Sequence, residues 1–214
     1  MALDVEMLTV GQIAENCFLF RKEGSEKALI VDPGEEPERI LAAVEEMGVS
    51  VEAILLTHCH FDHIGAVAPV AKATGAPVYC PEIEVPILAD IMAFVPWAGF
   101  GPYESYEADR TVKGGETLGL AGLELDVIYT PGHSPGHVTY SVRGEDAIFS
   151  GDVLFQGSVG RVDLPGGDGP TLMRSIRGLL DSHPNQTTVY PGHMGITTLG
   201  AERASNPFLL ELAR

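Results

Sequence analysis

Apolar positions fall in short runs whose spacing alternates between the period of a strand and that of a helix. Residues 5–10, 17–21 and 28–31 are apolar, strand-length runs separated by Gly11 and by the polar turn 22–27. Ile40, Leu41, Val44 and Met47 then recur at the spacing of an amphipathic helix over 36–47, and Gly48 stops it. Residues 51–56 form a further strand. A helix opening within 64–70 and ending near Gly75 follows, then a strand at 77–80 and a helix over 82–92 in which Pro86 suits a kink or a late start. No period runs through 96–110, which reads as a long loop. Its Trp97, Phe100, Tyr103 and Tyr106 suit either the wall of a cleft or an outer cap on the core. Beyond it, 123–129, 138–142, 147–149 and 187–190 read as strands and 170–180 as a helix. A last helix begins near Gly200 and is disturbed by Pro207. The order strand-strand-helix-strand-helix, largely repeated, predicts an α/β fold of two packed sheets with helices outside, in one domain over 1–214.

Composition narrows the function. Of the 214 residues 45% are hydrophobic and 20% charged, which suits a packed core and excludes a disordered chain. The formal charge of −17 argues against nucleic acid and anionic membranes, and weakly against a strongly anionic substrate. The opening residues lack the cationic and apolar regions of a signal peptide, and the apolar run 85–95 is short and interrupted by Asp90. Three cysteines, none in a C-x-x-C pair, predict no disulfide framework. The expectation is a soluble cytoplasmic chain acting on a small molecule, with a homo-oligomer left open.

The chemistry gathers at strand ends. Thr57-His58-Cys59-His60-Phe61-Asp62-His63 follows an apolar strand, where α/β proteins place their ligand sites. In extended chain His58 and His60 point the same way, and a turn into the next helix lets Asp62 and His63 face a second point beside the first. Three further stretches repeat one design, an apolar strand followed by a glycine turn: 128–133 ends in His133, 147–152 in Asp152 and 188–193 in His193. Five imidazoles and two carboxylates are about what two metals sharing one carboxylate need. A lone H-x-H or P-G-H is usually incidental, whereas four such motifs at strand ends are not.

The order T-H-x-H-x-D-H, G-H, G-D, G-H resembles the metallo-β-lactamase superfamily. The stretches T-P-G-H-S-P-G-H at 130–137, G-D-V-L-F at 151–155 and G-R-V-D-L-P-G-G at 160–167 resemble its glyoxalase II (hydroxyacylglutathione hydrolase) branch. That resemblance implies an αββα four-layer sandwich with its site at the edge of two facing sheets. It places His58, His60 and His133 on one divalent metal, Asp62, His63 and His193 on a second, and Asp152 between them. Zinc is the first choice of metal, with iron or manganese as alternatives. It implies hydrolysis of a hydroxyacylglutathione-like thioester by a metal-bridging hydroxide, with Asp62 and Asp152 as catalytic residues. Members of that branch hold glutathione with basic residues of an extra C-terminal helical region, which this sequence is expected to lack, so the thiol is left open.

The rivals differ at single positions. Persulfide dioxygenases share H-x-H-x-D-H but use one iron and typically carry Cys where His137 stands. The main class of β-lactamases has Cys in place of Asp152, and flavodiiron carriers have Glu in place of His60. Lactone hydrolysis fits the same centre, and a non-catalytic scaffold would have lost a ligand. Among the remaining polar residues, His137 reads as support or core and His183 as a solvated turn residue. Asp32 reads as support for a ligand loop or a plain turn, and Arg161 as a substrate contact or a partner of Asp163. Cys59 reads as a packed thiol.

Overall fold

Successive residues of one strand point into two different cores, and this alternation builds the layers. The computed structural model describes residues 2–212, with side chains through residue 210. In β2 (Glu15–Lys22), Phe18 and Phe20 enter one buried cluster while Cys17 and Leu19 enter another. The split continues in β3 (Lys27–Val31), where Leu29 and Val31 oppose Ala28 and Ile30, and in β4 (Ser50–Leu55). With β1 (Leu3–Val10), β5 (Val78–Pro81) and β6 (Arg110–Val112) these strands form one sheet in sequential order. It is antiparallel from β1 to β3 and parallel from β3 to β6.

The second sheet runs β14-β13-β10-β9-β8-β7. Its strands are β7 (Thr117–Leu120), β8 (Leu123–Tyr129), β9 (Val138–Val142), β10 (Ala147–Gly151), β13 (Thr188–Pro191) and β14 (Thr197–Thr198). Leu125, Val127, Tyr140 and Phe149 face Phe18, Phe20, Leu29 and Leu55 across the inter-sheet core. Ile148 and Val189 point the other way, onto Leu172, Ile176 and Leu179 of α6 (Gly169–Ser182). On the far side, Ile40 and Ala43 of α1 (Pro37–Met47) and Val67, Val70 and Ala71 of α3 (Val67–Thr74) cover the first sheet. The result is the expected αββα four-layer sandwich.

Several elements depart from the expectation. The helical stretch 82–92 divides into a 3₁₀ turn, Glu82–Glu84, and two short helices, α4 (Val85–Ala89) and α5 (Ile91–Phe94). Asp90 leaves helical geometry at φ −147°, ψ 66°, and Pro86 sits in the first turn of α4, where its missing N–H is harmless. The loop from 96 is irregular only through 109, because Arg110 begins β6 and pairs with Tyr79. The short strand β7, four residues long, was not anticipated from the sequence. The final helix is two, α7 (Leu199–Ser205) and α8 (Pro207–Leu212), divided at Asn206. Helical backbone also starts earlier than expected after β4: α2 (Phe61–Ile64) already carries Asp62 and His63. Among the described residues no helix is long and apolar enough to cross a membrane.

Candidate metal centre

Strands β4, β8, β10 and β13 end at one edge of the sandwich, and backbone bonds stitch the two sheets together there. Val138 N donates to Thr57 O (2.8 Å) and Asn16 N to Gly192 O (2.7 Å), while Gly192 N donates to Gly151 O (2.9 Å) within the second sheet. All seven candidate ligands meet at this edge. His58 Nε2, His60 Nδ1 and His133 Nε2 lie 2.8–3.2 Å from one another. Nitrogens about 2.0–2.1 Å from a tetrahedral zinc are separated by about 3.3 Å, so this triangle has the size of one coordination face. Beside it, His193 Nε2 lies 3.2 Å and His63 Nε2 3.6 Å from Asp62 Oδ2. Asp152 sits between the groups, with Oδ1 3.4 Å from His63 Nε2 and Oδ2 3.4 Å from His133 Nε2 and 3.6 Å from His193 Nε2.

The tautomers follow from partners that can only accept. His133 Nδ1 lies 2.8 Å from Arg161 O and His193 Nδ1 3.2 Å from Ala14 O. In the neutral ring each therefore carries its proton on Nδ1 and leaves the lone pair at Nε2. His63 Nδ1 meets the Asp32 carboxylate at 3.1 Å with the same result. Thr57 Oγ1 gives its proton to Asp32 Oδ2 (2.6 Å) and so accepts from His58 Nδ1 (3.1 Å). His63 Nε2 and Asp152 Oδ1 are buried with no hydrogen-bond partner, which is costly unless a cation completes them. This donor set fits two divalent ions.

Burial and mutual charge polarise the two groups differently. Burial, then the neighbouring imidazoles, holds the His58 pKa far below its ordinary value and that of His60 at about 3. For His63 burial acts the same way, but the carboxylates of Asp152 and Asp62 outweigh it and hold the imidazolium well above the usual range. His193 is raised by the same balance. Burial opposes ionisation of Asp62 and Asp152, yet the nearby imidazoles keep both lowered.

The supporting residues also resolve. Asp32 is no plain turn: it is buried at φ 49° and accepts from Thr57 N (2.7 Å), Thr57 Oγ1 and His63 Nδ1. Its oxygens are thus committed, although Asp32, His58 and His63 also cluster closely enough to suggest an ion. His137 supports as expected, since Nδ1 meets Thr130 Oγ1 (3.0 Å) and Nε2 accepts from Asp152 N (3.1 Å), leaving no lone pair for a metal. Cys59 packs its thiol 3.5 Å from that of Cys80. Arg161 pairs with Asp163 through two 2.7 Å bonds. His183 is not simply solvated: it bonds Ser141 Oγ (3.1 Å) and Leu179 O (3.1 Å). Gly192 is required by close approach, because a Cβ there would lie 2.3 Å from Asp152 Oδ1.

Three contributors were not singled out from sequence. Thr57 sits inside the first motif and relays Asp32 to His58. Asn16, beside Glu15 at the start of β2, holds the His193 loop through Pro191 O (3.0 Å) and Met194 O (2.9 Å). Glu84, fully buried, accepts from Ser134 Oγ (2.8 Å), Gly136 N (2.7 Å) and Cys59 N (3.3 Å), tying the first ligand loop to that of His133. Nothing in the local pattern marks Glu84.

Residues 10–193 match the metallo-β-lactamase superfamily. The chain belongs to that family. Among its relatives is a hydroxyacylglutathione hydrolase, GloC, of Haemophilus influenzae, 34% identical over 97% of this chain and 98% of that one. The B3 metallo-β-lactamase BLEG-1 superposes at TM-score 0.90, with 38% identity over 96% of this chain and 99% of that one. The protein TTHA1623, solved in a di-iron-bound form, superposes at 0.84, with 40% identity over 95% and 100%. The superfamily binds two metal ions, and the two neighbouring His and Asp groups at this edge are close enough to hold ions.

Five of the seven donors, His60, Asp62, His133, Asp152 and His193, line a cleft of about 570 Å³, with His58 and His63 buried behind them. Of the four loop aromatics only Trp97 lines it. Phe100, Tyr103 and Tyr106 pack against the first core instead, with Tyr103 Oη donating to Glu35 Oε1 (2.8 Å).

Proposed function

We propose that the chain is a metal-dependent hydrolase of acyl thioesters. His58, His60 and His133 would hold one ion, Asp62, His63 and His193 the other, and Asp152 both. Zinc is the proposed metal, with iron or manganese suited to the same donors. When bound, the pair supplies a water ionised near neutral pH and positive charge for the developing oxyanion. The chain's own residues do the rest. Asp62, ionised and lining the cleft, accepts a hydrogen bond from the attacking water and orients it. Asp32 and Thr57 hold His63 and His58 in the tautomers that leave Nε2 free, and the apolar walls exclude bulk water.

One observation carries the choice of thioester. The cleft lining offers no general acid: its imidazoles are the proposed ligands, its carboxylates are held ionised, and burial pushes the Cys59 thiol well up. A thiolate leaves without being protonated, whereas an alkoxide or an amine does not. The named activity of GloC supports the same class.

The test measures metal content per chain on freshly purified protein, together with hydrolysis of S-lactoylglutathione, a matched oxygen ester, a lactone and nitrocefin. About two metals per chain and a thioester kcat/KM at least about 100-fold above the others are expected, with Asp152→Ala inactive. Faster lactone or β-lactam cleavage would overturn the reading, as would one iron with oxygen consumed on glutathione persulfide.

A further inference from the structure

The cleft that hydrolysis requires has walls that recognise more than a carbonyl. Among the described residues Arg161 is the only lysine or arginine lining it, and that guanidinium is already engaged. Its Nε and Nη2 donate to Asp163, and its Cζ lies 5.5 Å from the centre of the Trp97 ring. The other walls are Ile87, Val95, Trp97, Phe155, Val159 and Leu164. Phe61 fixes Trp97 from behind, with ring centres 5.9 Å apart, and itself packs on Phe100 at 4.9 Å. Apolar surface continues to the rim, where Ile13, Phe94 and Met194 stay 36%, 51% and 55% exposed. A concentration of exposed large apolar side chains around one opening marks a binding surface.

A glutathione moiety brings two carboxylates and one ammonium. Among the described residues the side chains of the walls provide no unpaired cation beyond the proposed metal groups, leaving the carboxylates unpaired on apolar surface, and the chain's charge of −17 repels them at long range.

Resting on the thioesterase reading, we propose that this cleft selects thioesters whose acyl and thiol parts are uncharged, with an apolar acyl group seated against Trp97 and Phe155. Each methylene that leaves water there adds about fourfold to kcat/KM.

The experiment pairs turnover with binding on metal-loaded protein. Turnover compares S-acyl-N-acetylcysteamines, from acetyl to octanoyl, with S-lactoylglutathione. Binding compares the non-hydrolysable S-hexyl-N-acetylcysteamine and S-hexylglutathione through the fluorescence of Trp97, the chain's only tryptophan. The expected result is a kcat/KM that climbs with acyl length above that of S-lactoylglutathione, and a neutral thioether that binds at least about tenfold tighter. Phe94→Arg should narrow both gaps. A flat series with the glutathione thioester preferred, or S-hexylglutathione binding as tightly as its neutral counterpart, overturns the proposal while leaving thioester hydrolysis standing. Conversely, tight neutral binding with no thioester turned over removes the hydrolytic reading and leaves the assigned occupant in place.

Discussion

Asp32 accepts three hydrogen bonds and, through them, sets the proton positions of two imidazoles on different donor groups. His63 is held directly and His58 through Thr57. Replacing such an orienting carboxylate typically weakens metal binding 10–100-fold. Asp32→Ala should therefore weaken both sites by about that factor in a chelator competition, whereas Thr57→Val should affect only the His58 group. A second contrast concerns pH. His58 and His60 have depressed pKa values and stay unprotonated, ready to donate, to well below neutrality; His63 and His193 have raised values and must lose a proton before they can bind. As pH falls, protons thus compete first for the Asp62, His63 and His193 group. Metal content is expected to drop from about two to about one per chain between roughly pH 7.5 and 5, with the His58, His60 and His133 group filled longer. Simultaneous loss of both ions would refute that order. At this scale the sequence pointed to the candidate donors, because they gather where apolar strands end in turns. It did not show Glu84, whose three partners come from segments far apart along the chain.

The helices matter to the site through what they press against. Gly132, before His133, has φ +133°, and a Cβ there would lie 2.2 Å from Leu172 N in α6. Gly132→Ala adds that clash to a backbone conformation side chains rarely adopt, a strain of roughly 1–3 kcal/mol by itself. It should lower stability by at least that amount in urea titration and weaken the His58, His60 and His133 site more than the other. Unchanged stability would mean that α6 shifts freely, contrary to its buried Leu172, Ile176 and Leu179. Elements with a clear period, such as α1 and β8, were legible in the sequence. The short edge strands β6 and β7 were not, because three or four half-exposed residues pair only when a neighbouring strand is present. The same holds for the break at Asp90, set by local backbone geometry within an otherwise apolar run.

Across the whole molecule, three buried clusters hold four layers together while the metal edge concentrates groups that are unfavourable without cations. Glu15, His63 and Asp152 keep buried polar atoms unpartnered there, and burial drives the Glu15 carboxyl well above its usual range. Chelation should lower the thermal midpoint: free metal at about 1,000 times Kd adds about 4 kcal/mol, equivalent to roughly 10 °C at this size. A midpoint indifferent to chelator would argue that the edge is stable without ions. The sequence by itself pointed to two packed sheets with helices outside and to the seven candidate donors, because alternation, helical period and glycine turns are local and repeat along the chain. The resemblance its motifs carry already divided those candidates into two groups about Asp152, and only the tertiary structure decided the distances within and between the groups. It alone also decided which imidazole nitrogens keep lone pairs and which loop aromatic faces the cleft. Each of these depends on partners tens of residues away, brought within hydrogen-bond distance by the packing of two sheets, and no local pattern encodes that distance.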